Sequence, residues 1–206
     1  MKRLTAHKLD PSKCRLEWKQ FDHLLKVKAT LDENRDVLPF FKTRHDLSLL
    51  ISWYFPRITN PNVFAHEYPL YGDFKADLVV GDSTTHNYLL VEFENANENS
   101  IFSKNGRAVS DWSPRFESAF SQLVDWLWKL DGMRSTPDFD NDFGDRQAKF
   151  HGLIVTGKGM SLTAQEESRL KWRQDKVMVD STHISIVSFD QLSSDLDAWL
   201  TKYHSV

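Results

Sequence analysis

Two stretches of this chain bring acidic groups together at strand-like spacing. Phe74-Lys75-Ala76-Asp77-Leu78-Val79-Val80 and Tyr88-Leu89-Leu90-Val91-Glu92-Phe93-Glu94 are rich in β-branched and aromatic residues, and a polar Gly-Asp-Ser-Thr-Thr-His-Asn run lies between them. Side chains alternate along a strand, so Lys75, Asp77 and Val79 share one face, as do Tyr88, Leu90, Glu92 and Glu94. With a loop running from Gly81 to Tyr88, antiparallel pairing sets Asp77 opposite Glu92 and Lys75 opposite Glu94. A slip of one residue would send the two sets to opposite faces. In the paired register, three carboxylates crowd around one ammonium, and like charges facing each other destabilise a sheet. A hard divalent cation, Mg²⁺ or Mn²⁺, would neutralise them, because such ions prefer carboxylate and carbonyl oxygen. The competing reading is a solvated acidic face of an antiparallel sheet.

The elements that must hold this hairpin follow from periodicity. Residues 1–12 read as a polar lead-in, and residues 13–206 as a single domain. Apolar spacing predicts helices over Lys13–Leu31 and Phe40–Phe55, with Asp32-Glu33-Asn34 as the stop of the first and Pro56 as the stop of the second. Val63–Leu70 reads as a short strand whose Glu67 is better explained as a surface ion-pair partner than as a site acid. After the hairpin, residues 95–112 form a polar loop from which Lys104 and Arg107 could reach a phosphate backbone, as could Lys158 further on. Ser113-Pro114 opens a helix that Gly132 ends, and residues 131–147 read as an acidic loop. The alternating Asp138, Asp140 and Asp142 in that loop do not make a calcium loop, because the glycine is misplaced and the closing glutamate is missing. Lys149–Thr156 reads as a buried strand with His151 as a core histidine. Thr163-x-x-Glu166 opens a helix, Ile184–Phe189 is a last strand, and Asp190–Tyr203 is a terminal helix. This order describes an α/β (α+β) domain with a mixed central sheet flanked by helices.

Composition narrows the function. A chain of 206 residues, 40% hydrophobic and 27% charged, supports one globular core. A net charge of -3 excludes a non-specific nucleic-acid coat, yet it is compatible with a nuclease whose own site is acidic. The single Cys14 excludes an internal disulfide and a multi-cysteine zinc site, which suits a reducing compartment. No apolar run approaches the ~20 residues of a membrane span, and the N-terminus has no secretory hydrophobic segment, so the expectation is a cytoplasmic protein with no membrane partner.

An Asp on one strand and Glu-x-Glu on the next resemble the PD-(D/E)xK nuclease superfamily, with Glu94 standing where that pattern usually has lysine. Several stretches together are similar to the Shedu family of bacterial anti-phage nucleases: Ala76-Asp77-Leu78-Val79, Leu90-Val91-Glu92-Phe93-Glu94-Asn95, Ala119-Phe120-Ser121-Gln122-Leu123-Val124-Asp125-Trp126, Gly152-Leu153-Ile154-Val155-Thr156-Gly157 and Ser185-Ile186-Val187-Ser188-Phe189-Asp190-Gln191-Leu192. The resemblance covers roughly residues 20–200. It implies a restriction-endonuclease-like αβββαβ core, DNA as substrate and a homo-oligomeric assembly. It also implies Mg²⁺ or Mn²⁺ held by Asp77, Glu92 and the Phe93 carbonyl, with Gln122 as an accessory residue of the site. Under this reading Glu94 orients or deprotonates the attacking water, and Lys75 supplies the charge normally given by the motif lysine. The alternative is a catalytically degenerate module that keeps the fold and binds DNA or a protein partner. An interaction module unrelated to nucleic acid would leave the carboxylate cluster unexplained.

Overall fold

The seven residues of Asn87–Phe93 are all buried, which requires neighbours on both edges and cover on both faces. The computed structural model describes residues 3–104 and 106–206 and supplies both. In chain order the elements are β1 (Thr5–Ala6), α1 (Pro11–Val27), a π-helical turn (Glu33–Val37), α2 (Leu38–Lys42), α3 (His45–Leu50), a 3₁₀ turn (Ile51–Tyr54), β2 (Val63–Leu70), β3 (Phe74–Asp82) and β4 (Asn87–Phe93). They continue with β5 (Phe102–Ser103), β6 (Asp111–Trp112), α4 (Pro114–Met133), α5 (Pro137–Phe143), β7 (Lys149–Val155), α6 (Ala164–Lys176), β8 (Met178–Val179), β9 (Thr182–Val187) and α7 (Phe189–His204).

The main sheet has the order β1-β2-β3-β4-β7-β9-β8. Strands β1 to β4 pair antiparallel, β4, β7 and β9 pair parallel, and β8 returns antiparallel at the far edge. The parallel steps need crossovers, which α4 and α6 provide. One face carries Leu78, Val80, Leu89, Val91 and Phe93 against α1, α2, α3 and α7; there Phe93 stacks on Phe41 with centroids 4.6 Å apart. The other carries Val79, Tyr88, Leu90 and Ile154 against α4 and α5, through Phe116, Leu123, Leu127 and Phe143. The mixed α/β architecture expected from the sequence is therefore the one observed.

Several expected boundaries move, each for a physical reason. The lead-in contributes an edge strand, because Asp46, fully buried, accepts hydrogen bonds from the Asp10 backbone (2.8 Å) and pairs with His7 (2.9 Å) and Lys13 (3.2 Å). Met1 and Lys2 of that segment, and Asn105 of the polar loop, lie outside the described residues. The helix expected over residues 40–55 breaks at Thr43-Arg44 into α2, α3 and the 3₁₀ turn. The hairpin loop is shorter than Gly81–Tyr88. The strands run on to Asp82 and from Asn87, and Asp82 closes the turn by accepting from the Thr84 and Thr85 backbones at 2.9 and 3.3 Å. Gly81 thus sits within the ladder, where a Cβ would stand 2.3 Å from the Tyr88 ring. The polar loop 95–112 carries a small hairpin of β5 and β6. Gly132 lies inside α4, and the acidic loop contains α5, capped by Thr136 and closed by Gly144 at φ 77°. Asp138, Asp140 and Asp142 are helical residues there.

Candidate active site

The β3–β4 register runs from Asp82↔Asn87 to Leu78↔Val91, and its continuation sets Asp77 across from Glu92. The expected register holds at the site. Asp77, Glu92 and Glu94 are all buried, at 7%, 6% and 5% exposure. Their positions have different causes. Asp77 is anchored by the Phe93 backbone N–H, which donates to its carboxylate at 2.9 Å. Phe93 is locked by its stack in the core, so the hydrophobic face of β4 aligns the acids on the opposite face. Glu94 leaves the strand end with its N–H bound to the Val155 carbonyl (3.0 Å), which continues the parallel ladder beside β7.

A fourth acid joins them. Glu33 opens the π-helical turn after α1, and its N–H donates to the Asn95 side chain at 2.9 Å. An antiparallel bridge between Leu31 and Ala96 ties this segment to the chain leaving β4. Residues Asp32-Glu33-Asn34, expected only to stop a helix, thus bring a carboxylate to the site; the π turn is the kind of local irregularity often found at functional positions. In the sequence Glu33 looked like punctuation, and no spacing rule links it to residues sixty positions later.

The electrostatics of the cluster follow from burial and like charge. Desolvation raises Asp77, Glu92 and Glu94 above the ordinary carboxylate range, most strongly Glu92, which also feels Asp77, Glu94 and Glu33. Asp77 and Glu92 lie opposite each other and each feels the other's charge, so the two acids titrate as a pair. Glu33 is pushed up to about 7 by desolvation and by Asp77 and Glu94. Arg115, in the first turn of α4, offsets part of this: its guanidinium lies 3.3 Å from Glu94.

Lys75 makes no ion pair with Glu94 among the described residues. Its ammonium pairs with Glu67 at 2.8 Å, and Lys42 holds the other oxygen of Glu67 at 2.6 Å. Glu67 adopts φ 47°, a left-handed conformation unusual for a non-glycine residue, at the level of β2 where the pairing with β3 skips Asp77. The two lysines hold Glu67 well below the usual carboxylate range, at about 2. Its expected role as an ion-pair partner is what the structure displays. Lys75 still senses Asp77 and Glu33 electrostatically, so it stands at the rim of the acidic cluster rather than within it. Glu94 takes its cation from the first turn of α4, through Arg115.

Gln122 is half-buried on α4, two helical turns beyond Arg115, and makes no hydrogen bond to the four acids among the described residues. Of the basic residues expected near a phosphate backbone, Arg107 pairs with Asp111 (3.0 Å), Lys158 donates to the Ala29 carbonyl (3.4 Å), and Lys104 is exposed. His151 is a satisfied core histidine, bound to Thr182 and Ser185 at 3.1 and 2.8 Å and stacked on Phe55.

A metal fits part of this arrangement. Asp77, Glu92 and the Phe93 carbonyl offer hard oxygen donors, and the mutual repulsion of buried acids is what a divalent cation would relieve. Among the described residues no three acidic, imidazole or thiol side chains are gathered as a ready ion cage, so side chains alone do not complete a coordination shell. No helix among the described residues is long and apolar enough to cross a membrane. The family described as Shedu protein SduA, C-terminal, matches residues 31–193, and that span contains every residue of the acidic cluster. No curated protein matches the chain.

Proposed function

The chain belongs to the Shedu family, and from that premise we propose that it is a metal-dependent DNA endonuclease acting in anti-phage defence. The observation that carries the reading is the burial of Asp77, Glu92 and Glu94 side by side at the end of β4, with Glu33 facing them. A sheet accumulates uncompensated acids at such a place when something cationic is to bind there. Asp77, Glu92 and the Phe93 carbonyl would hold Mg²⁺ or Mn²⁺. When bound, the ion would polarise a phosphodiester and lower the pKa of a water.

The chain's own groups set the remaining chemistry. The Phe93 N–H fixes the orientation of Asp77. Glu94, in the place of the usual lysine, orients or deprotonates the attacking water, and Arg115 keeps its carboxylate directed along the end of the sheet. Lys75 and Lys42, gathered by Glu67, put positive charge at the rim, where it would meet a phosphate rather than the water. A homo-oligomeric assembly, implied by the family resemblance, belongs to the same proposal.

A second reading is favoured by one observation: the cations around the cluster are already engaged, Lys75 and Lys42 with Glu67 and Arg115 with Glu94. A catalytically degenerate module that binds DNA or protein would tolerate that arrangement. The deciding experiment incubates plasmid and linear DNA with Mg²⁺ or Mn²⁺, comparing wild type with Asp77→Ala, Glu92→Ala and Lys75→Ala. Cleavage by wild type that is lost in the first two variants and with chelator supports the nuclease. No cleavage with either metal, together with DNA affinity unchanged in all variants, moves the function to the degenerate module.

A further inference from the structure

Between Trp112 and α6 lies a cleft of about 580 Å³ lined by Trp112, Ser168, Arg169, Trp172, Arg173 and Val177. That volume falls within the roughly 300–1,000 Å³ range of small-ligand sites. Its walls alternate aromatic rings with guanidinium planes. Trp112 is stacked between Phe102 and Phe116, with centroids 4.4 and 5.1 Å away. Arg169 lies 5.0 Å over the Trp112 ring, and Arg173 lies 5.0 Å over Trp112 and 4.1 Å over Phe120. Both arginines are fixed: Arg169 donates to the Ser110 carbonyl at 2.6 Å, and Arg173 grips Glu117 through two bonds. Trp172 differs from the other rings, because it is 62% exposed at the mouth of the cleft.

We propose that this cleft is a stacking subsite for an unpaired nucleobase of a single-stranded stretch of DNA. The inference rests on the DNA-acting reading above and names a binding site for that substrate. Bases stack on exposed aromatic planes whatever their sequence, and with Trp112 covered by Phe102, Phe116 and the two arginines, Trp172 is the plane a base would meet. Arg173 is neutralised by Glu117, but Arg169 and Lys176 add positive charge beside the exposed Trp172 ring, which suits a polyanion. Arg169, Trp172, Arg173 and Lys176 recur at helical spacing on one face of α6, and among the described residues neither Arg169 nor Lys176 has a carboxylate within ion-pair distance. The location also suits a substrate strand. Trp112 precedes Arg115 by three residues, so the cleft wall and the residue paired with Glu94 lie within about 10 Å along the chain.

The test measures binding of fluorescently labelled single-stranded and duplex DNA in EDTA, by anisotropy, for wild type, Trp172→Ala and Trp172→Phe. Trp172 is exposed enough for both variants to fold, and binding in EDTA separates this site from cleavage. The expected result is a fall of about five- to a hundredfold in single-strand affinity for Trp172→Ala, the range for one stacked base. Trp172→Phe keeps most of the affinity, and duplex affinity stays unchanged. Wild-type binding to single strands that Trp172→Ala leaves intact overturns the subsite while leaving the nuclease reading in place. Binding to duplex alone has the same consequence. If Trp172→Ala instead changes only the sedimentation of the protein, the patch is an interface between copies and the proposal fails. A wild type that binds neither form of DNA in EDTA overturns the subsite, and cleavage with Mg²⁺ or Mn²⁺ then decides the DNA-acting reading separately.

Discussion

Glu33→Gln isolates the electrostatic cost stored in the acidic cluster. The substitution keeps the size of the side chain and its capacity for hydrogen bonds while removing one negative charge. In the folded protein Glu33 is pushed from 4.5 up to about 7, chiefly by burial and then by Asp77 and Glu94. At about 1.36 kcal/mol per pH unit, that rise caps the destabilisation at about 3 kcal/mol once the group is ionised in both states, and solvent screening of a half-buried carboxylate brings it to about 1 kcal/mol. The sign follows from proton uptake. Between pH 4.5 and about 7 the folded form binds a proton that the unfolded chain has released, so this group's contribution to stability falls as pH rises through that window. Below pH 4.5 the acid is neutral in both states and the cost vanishes. Urea unfolding in EDTA at pH 8 and pH 4.5 therefore has a defined expectation. Glu33→Gln is more stable than wild type at pH 8, by about 1 kcal/mol, or roughly 2–4 °C in Tm for a chain of this size. The gain shrinks towards zero at pH 4.5. Adding Mn²⁺ at pH 8 narrows the difference, since a cation relieves the same repulsion. A variant no more stable than wild type at pH 8, or one with an equal gain at both pH values, would refute the picture of Glu33 as a member of a repelling cluster.

Three further outcomes follow from the same geometry. Arg115→Ala leaves Glu94 buried without its cation, so stability falls by about 1 kcal/mol at pH 8 and little at pH 4.5, read by paired denaturant titrations. Phe93→Ala removes a fully buried ring stacked on Phe41 and costs about 3–5 kcal/mol in thermal or chemical unfolding; alanine keeps the backbone N–H that anchors Asp77 but loses the packing that holds it in place, so DNA cleavage drops more than Glu33→Gln changes it. Gly81→Ala drives a methyl to 2.3 Å from the Tyr88 ring and 2.8 Å from the Asn87 carbonyl; a loss of about 1–3 kcal/mol is expected, and an unchanged midpoint would show that the hairpin can open there.

Much of this protein was legible before any coordinates. Alternation along residues 74–94 was enough to predict the two strands and the shared face of Glu92 and Glu94, because side-chain direction on a strand is a local property of the backbone; the pairing of Asp77 with Glu92 rested on an assumed loop, and the strands keep it although that loop is shorter. Proline and capping residues located α4 and α6 for the same reason. The order of strands and helices was sufficient for a mixed sheet with parallel crossovers.

What only the tertiary structure decided depends on contacts between distant segments. Glu33 enters the site because the chain after α1 bridges to Ala96, a pairing across more than sixty residues that no periodicity announces. Lys75 turns to Glu67 because a left-handed residue on β2 redirects that carboxylate to the sheet edge, while Arg115 reaches Glu94 because α4 crosses the end of β4. The short helix α5, read as a loop from its acidic composition, exists because Phe139 and Phe143 are buried against the sheet. Sequence determined which side of each strand bears charge. Packing determined which charges meet, since the distance between residues far apart in the chain is set by how the hydrophobic faces close.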